Sequence, residues 1–123
     1  MKIVKVFSIV LLVIFVTSSC GKDENTGKST CDLANPIEEL LWLKEIKTTM
    51  TNCSCEMSIL QATYNNQTVF YTMMTDPLCD GVQTITLLNC EGKVVENIKQ
   101  DKFQAFLGKV SNVKNLYRCK TSK

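Results

Sequence analysis

The chain has 123 residues, of which 45% are hydrophobic and 21% charged, with seven cysteines and a formal net charge of +2. This length suits one ordinary domain, and the composition excludes a disordered or collagen-like chain. Histidine is absent, which removes the commonest general base, the usual imidazole ligand of zinc and every Ser-His or Cys-His nucleophile pair.

Lys2 and Lys5 precede an apolar run from Val6 to Val16 that only Ser8 interrupts. A helix needs about 20 such residues to span a bilayer. A positive start, a short apolar core and the small residues Thr17, Ser18 and Ser19 instead mark residues 1–19 as a signal peptide. An N-terminal anchor helix or a buried core helix is the alternative. The segment Thr17-Ser18-Ser19-Cys20 resembles the lipobox of bacterial lipoproteins, with Thr17 where Leu is usual, a position that lipoproteins of Bacteroidetes commonly relax. The resemblance implies that Cys20 is acylated and becomes the first mature residue. Two or three acyl chains anchor stably where one binds only marginally. Gly21-Lys22-Asp23-Glu24 resembles the signal, a lysine followed by an acidic pair, that sends such lipoproteins to the surface of the outer membrane. The periplasmic face of that membrane is the alternative.

Cleavage would remove Lys2 and Lys5, so that Lys plus Arg falls from 14 to 12 and equals the 12 Asp plus Glu. No basic stripe remains, and a nucleic-acid footprint needs clustered positive charge, so nucleic acid is excluded as a partner. With Cys20 assigned to lipid, Cys31, Cys53, Cys55, Cys79, Cys90 and Cys119 are left, an even set in an oxidising compartment. Three disulfides are expected, out of about 15 possible pairings. Zinc is the alternative, but Cys53-x-Cys55 has the wrong spacing for a knuckle and no histidine assists.

Residues 20–30 read as the lipidated cysteine and a polar tether, and residues 31–123 as a single domain. Asn35-Pro36 opens a helix, since Asn is a favoured cap and Pro a favoured first residue. Glu38 and Glu39 suit the positive end of its dipole. At 100° per residue Leu40, Trp42, Leu43, Ile46 and Met50 share one face, whereas Ile37 and Leu41 fall off it. Leu41 is therefore a candidate exposed apolar residue. The helix should end near Met50.

Cys55 to Tyr64 and Gln67 to Thr75 read as two strands joined by an Asn65-Asn66 hairpin turn. Apolar parity flips midway along the first, which a β-bulge would explain. Asp76-Pro77-Leu78-Cys79-Asp80-Gly81 is a turn-rich connection, Val82 to Asn89 a third strand and Lys93 to Glu96 a fourth. Phe103, Phe106, Leu107 and Val110 have helical spacing, with Gly108 as a stop, and Val113 to Cys119 is the last strand. This order predicts an α+β fold: an N-terminal helix packed on an antiparallel meander of four to five strands, a second short helix before the last strand, and the helices on one face. It is similar, by analogy, to a cystatin-like wrapped sheet.

In that topology Cys53, Cys55 and Cys79 lie at one end of the sheet and Cys31 and Cys90 at the other, while the final strand delivers Cys119 to the first end. Bridged Cα atoms must lie within about 7 Å. The geometry therefore favours Cys31–Cys90 and leaves Cys53 and Cys55 to share Cys79 and Cys119; of the two divisions, Cys55–Cys79 across the hairpin with Cys53–Cys119 is the one expected.

The stretch Asp32 to Arg118, with NPIEELLWLKEIK, NCSCEMSILQATYNNQTVFYT, DPLCD and LLNCEGKVV, resembles small cysteine-containing lipoproteins of Bacteroidetes. The resemblance implies a compartment and a fold. Catalysis is not expected, because the carboxylates Asp76, Asp80, Glu38 and Glu39 suit turn and cap roles and a domain this small has little room for a sugar cleft. No metal or cofactor is expected, since Asp76 and Asp80 fall short of the six to eight oxygens of a calcium site and Met73 and Met74 suit a core. A surface-binding role remains: an accessory lipoprotein docking an envelope or extracellular protein or a glycan, with Leu41, Trp42 or Tyr64 as anchors. The alternative is an inhibitor of a protease or lysozyme acting through Asp76, Pro77, Leu78 and Asp80, on a loop stiffened by Pro77 and pinned by Cys79. Peptide mapping without reductant should return the three disulfides named above; a Cys31–Cys53 peptide would overturn the end-to-end argument.

Overall fold

The computed structural model describes residues 30–121. The expected signal peptide, Cys20 and nearly all of the expected tether lie outside the described residues. Pro36 opens α1, Pro36–Glu39, and α2 follows at Leu41–Thr49. The spacing predicts one helix to Met50, but the chain breaks at Leu40, where φ is −99° and ψ 106°. In one continuous helix, six positions would leave Ile37 and Leu43 about 120° apart. The break turns both to the sheet, at 4% and 1% exposure, so Ile37 belongs to the core against expectation. Asn35 does not cap with its side chain; its backbone N–H donates instead to Glu39 Oε1 at 2.6 Å. Glu38 bridges the break, accepting from Lys44 Nζ at 2.9 Å and Lys47 Nζ at 3.4 Å. The Lys44 hydrogen bond, reinforced by its charge and by Lys47, holds the Glu38 carboxyl below its ordinary pKa.

Strands β1, Met57–Tyr64, and β2, Gln67–Met74, pair antiparallel in unbroken register from Met57↔Met74 to Tyr64↔Gln67. Asn65 and Asn66, at φ 49° and 60°, form the mirror-image turn whose twist matches a hairpin. Beyond β2 lie β3, Ile85–Leu88, and β4, Val94–Ile98; a 3-10 turn at Gln100–Lys102 leads into α3, Phe103–Leu107. Finally β5, Ser111–Cys119, returns to the free edge of β1, giving the order β4-β3-β2-β1-β5 with every neighbouring pair antiparallel. The fold is α+β, with a five-stranded antiparallel sheet, helices before the first and last strands, and three disulfides.

Three local expectations change. The third strand is shorter than Val82 to Asn89, because residues 82–84 belong to the preceding connection. The bulge lies in β5 and not in β1: Ile59 faces Tyr117 while Leu60 faces Asn115, and Gln61 faces Lys114 while Thr63 faces Ser111. Asn112, at φ 51°, sits within the second irregularity. The parity flip of β1 has another cause. Leu60, Ala62 and Tyr64 join Val69, Tyr71, Ile85, Leu87, Ile98 and Phe106 on one face, and Ile59 joins Phe70, Leu43 and Ile37 on the other. Both faces are covered, so α3, through Phe106, lies opposite α1 and α2 and the helices do not share a face.

The disulfides are Cys31–Cys90, the pair that strand order leads to, and Cys53–Cys119 and Cys55–Cys79 among the four cysteines at the other end, with Cα separations of 5.9, 6.0 and 6.1 Å. Trp42 packs edge-on against Phe70 at 5.6 Å between centroids and donates Nε1–H to the Cys90 carbonyl at 3.3 Å. Behind it the β3–β4 turn passes through Gly92, at φ 77°, where an added Cβ would sit 2.9 Å from Trp42 Cδ2. Gly92→Ala should therefore cost about 1–3 kcal/mol in urea unfolding, from left-handed backbone strain and displacement of the indole. Gly108→Ala is the control: its φ is −72° and an added Cβ would meet the Ala105 carbonyl oxygen at an ordinary 3.6 Å, so stability should stay within about 1 kcal/mol of wild type.

Candidate functional site

The connection from β2 to β3, residues 75–84, is held by hydrogen bonds and a disulfide in its first half. Thr75 N–H donates to the Glu56 carbonyl at 2.9 Å, and its hydroxyl donates to Glu56 Oε1 at 2.9 Å. Cys79 N–H donates to the Asp76 carbonyl at 3.2 Å, closing a four-residue turn with Pro77 and Leu78 at its centre. Asp76 Oδ1 accepts the Leu78 N–H at 2.9 Å. Asp and Pro are favoured at these first two turn positions, because an aspartate oxygen can accept from the backbone two residues on and proline presets φ. The Cys55–Cys79 disulfide ties the turn to the start of β1, and Gln83 Oε1 accepts the Met74 N–H at 2.8 Å.

This frame presents apolar surface to solvent. Leu78 is 88% exposed and Val82 85%, the two highest values among the large exposed hydrophobic residues. Pro77 and Asp80 are also exposed, whereas Asp76 is half-buried and committed to the turn. The fold keeps Asp76, Pro77, Leu78 and Asp80, neighbours in the chain, on one loop. It does not bring Leu41 to them. That residue is 71% exposed but begins α2 beside Trp42, whose indole reaches Cys90 at the far end of β3.

Tyr64 is buried, with its hydroxyl donating to Glu96 Oε2 at 3.0 Å, and Trp42 is half-buried against Phe70, so neither is an exposed anchor. Two further features were not singled out from sequence. One is Val82, which alternation assigned to a strand. The other is charge: no Lys or Arg occurs between Lys47 and Lys93, and the four acidic residues of that interval are Glu56, Asp76, Asp80 and Glu91. Arg118 contacts Glu56 at 3.4 Å and Lys93 contacts Glu91 at 3.0 Å. No salt bridge involves Asp76 or Asp80 among the described residues. A plain reading of charge spacing could have found this signal.

Two hollows lie elsewhere. An apolar one of about 270 Å³ opens between α2 and the sheet, lined by Leu43, Ile46, Phe70, Thr72 and Leu88. A more polar one of about 350 Å³ lies on the α3 face, with Tyr64, Glu96, Lys102, Phe106 and Lys109 around it. Among the described residues no group of three or more His, Cys, Asp or Glu side chains is placed to hold a metal ion, and no helix is long and apolar enough to cross a membrane. Comparison with protein-family models, with curated proteins and with solved structures produced no match to this chain.

Burial, followed by the hydrogen bond to the Glu96 carboxylate and its charge, raises the Tyr64 pKa above the ordinary value of 10.0. Tyr71 moves the same way through burial alone. Below about pH 10 both the folded and the unfolded chain keep these protons, and the contribution to stability is complete. Above it the unfolded chain ionises first, and stability falls as pH rises toward the folded-state values. Tyr64→Phe should cost about 1 kcal/mol at pH 8, the net worth of one hydrogen bond. Its stability should then fall less steeply than wild type above about pH 10, as read from urea midpoints across that range.

Proposed function

We propose that this chain is a lipid-anchored, non-catalytic binding module of the cell envelope, held on the outer membrane through Cys20. It belongs with the small cysteine-containing lipoproteins of Bacteroidetes that its sequence resembles. One observation carries the reading: the chain joins its domain at one end of the sheet and displays its exposed apolar loop at the other. Cys31 is bonded to Cys90 beyond β3, and its N–H donates to Thr68 Oγ1 at 3.3 Å, beside the Asn65-Asn66 turn. The 75–84 connection lies at the opposite end of β2, roughly 25 Å away for a strand of this length. A polar tether ending at Thr30 would therefore hold that loop away from the lipid surface.

Two things support a non-catalytic role. Histidine is absent. Asp76, one of the two loop carboxylates, spends an oxygen on its own turn. Inhibition of a protease or lysozyme is a narrower form of the same reading, favoured by the disulfide that pins Leu78 in place. Growth with labelled palmitate should label the wild-type chain and leave Cys20→Ala unlabelled, and external protease should cleave the labelled protein on intact cells. Label that persists without Cys20 would overturn the anchoring, and turnover of any substrate by purified protein would overturn the non-catalytic role.

A further inference from the structure

Leu78 and Val82 leave almost their whole side chains in water although nothing in the fold requires it. A single exposed aliphatic residue is ordinary. Here two of them lie within five residues: Leu78 on a closed turn pinned by the Cys55–Cys79 disulfide, and Val82 beside Gln83, whose side chain accepts the Met74 N–H. A flexible loop would lose conformational entropy on docking, whereas a segment fixed in advance loses little. Burying a leucine in a pocket is worth enough to anchor a contact.

The surroundings of this knob say what it fits. Asp76 and Asp80 flank Leu78 and make no salt bridge among the described residues, while Arg118, which the fold brings beside Thr75, is held by Glu56 at 3.4 Å. These two carboxylates favour a basic rim over an anionic bilayer. The loop also lies at the end of the sheet opposite the point where the chain joins it. We infer that residues 76–82 form a docking knob that inserts Leu78 and Val82 into an apolar pocket of a partner protein whose rim is basic and meets Asp80. This inference rests on the binding-module reading, and names the partner's chemistry; it does not depend on lipid at Cys20.

The test uses the full chain in its native host, with a photoreactive amino acid placed at position 78 or 82 and, as controls, at the exposed positions 41 and 94. Positions 78 and 82 should cross-link to one and the same protein, and the controls should not. That protein, identified by mass spectrometry and purified, should bind the wild-type chain with an affinity that falls as salt rises. Leu78→Asp should weaken binding roughly 10- to 100-fold. Asp80→Lys should slow association at low salt, with the difference vanishing at high salt. Both side chains are exposed, so melting temperature and disulfide map should stay unchanged in each variant. Cross-linking to lipid, equal yields at all four positions, no adduct at 78 and 82, or unchanged binding by Leu78→Asp would each overturn the proposal. The palmitate experiment separates the two readings: loss of label with loop-specific binding intact removes the anchor alone, and the reverse result removes the knob alone.

Discussion

The rest of the molecule depends on the burial of the β1–β2 hairpin on both faces. Val69, Phe70 and Tyr71 are consecutive and all buried, as are Ser58, Ile59 and Leu60. Successive strand residues point to opposite sides, so such runs demand cover above and below. On one side α1 and α2 supply Ile37 and Leu43; on the other α3 supplies Phe106, which meets Tyr64 and Tyr71 at ring distances of 5.5 and 5.4 Å. The break at Leu40 and the crossing of α3 both follow from this demand.

A domain of this size buries too little apolar surface to hold every connection by packing alone. The disulfides act where the sheet does least. Cys31–Cys90 fixes the incoming chain, Cys53–Cys119 joins the α2–β1 connection to the end of β5, and Cys55–Cys79 fixes the connection out of β2. Each removes freedom mainly from the unfolded chain. The last has a further effect. By holding the turn at Asp76–Cys79, it allows Leu78 to stay exposed in a defined place, which a loop held only by apolar contacts could not do without burying that residue.

Strong local signals were legible in the sequence. Asn65-Asn66 marked the hairpin because asparagine accepts positive φ, and both residues adopt it. Cys31–Cys90 followed from strand order because a disulfide tolerates only a narrow Cα separation, whereas Cys53, Cys55, Cys79 and Cys119 meet at one end and their division is set by the fold. Leu41 falls off the apolar helix face and Pro77, Leu78 and Asp80 fall in a turn-rich connection, and all four are exposed. Other features depended on partners distant in the chain. The parity flip in β1 looked like a bulge because alternation assumes one buried face, and here there are two. Ile37 fell off the apolar face because helical periodicity assumes an unbroken helix. Val82 looked like a strand residue because its neighbours do, yet the ladder begins at Ile85.

The amino-acid sequence by itself determined the element order, the hairpin turn, the even set of six cysteines left beside Cys20 and the absence of histidine chemistry. These rest on local backbone preference and residue identity, which need no neighbour from far along the chain. Only the tertiary structure decided which face each helix covers, where the bulges fall, and that Leu41 and Leu78 stand at opposite ends of the molecule. Those outcomes depend on which surfaces meet, and packing is settled between residues that lie tens of positions apart.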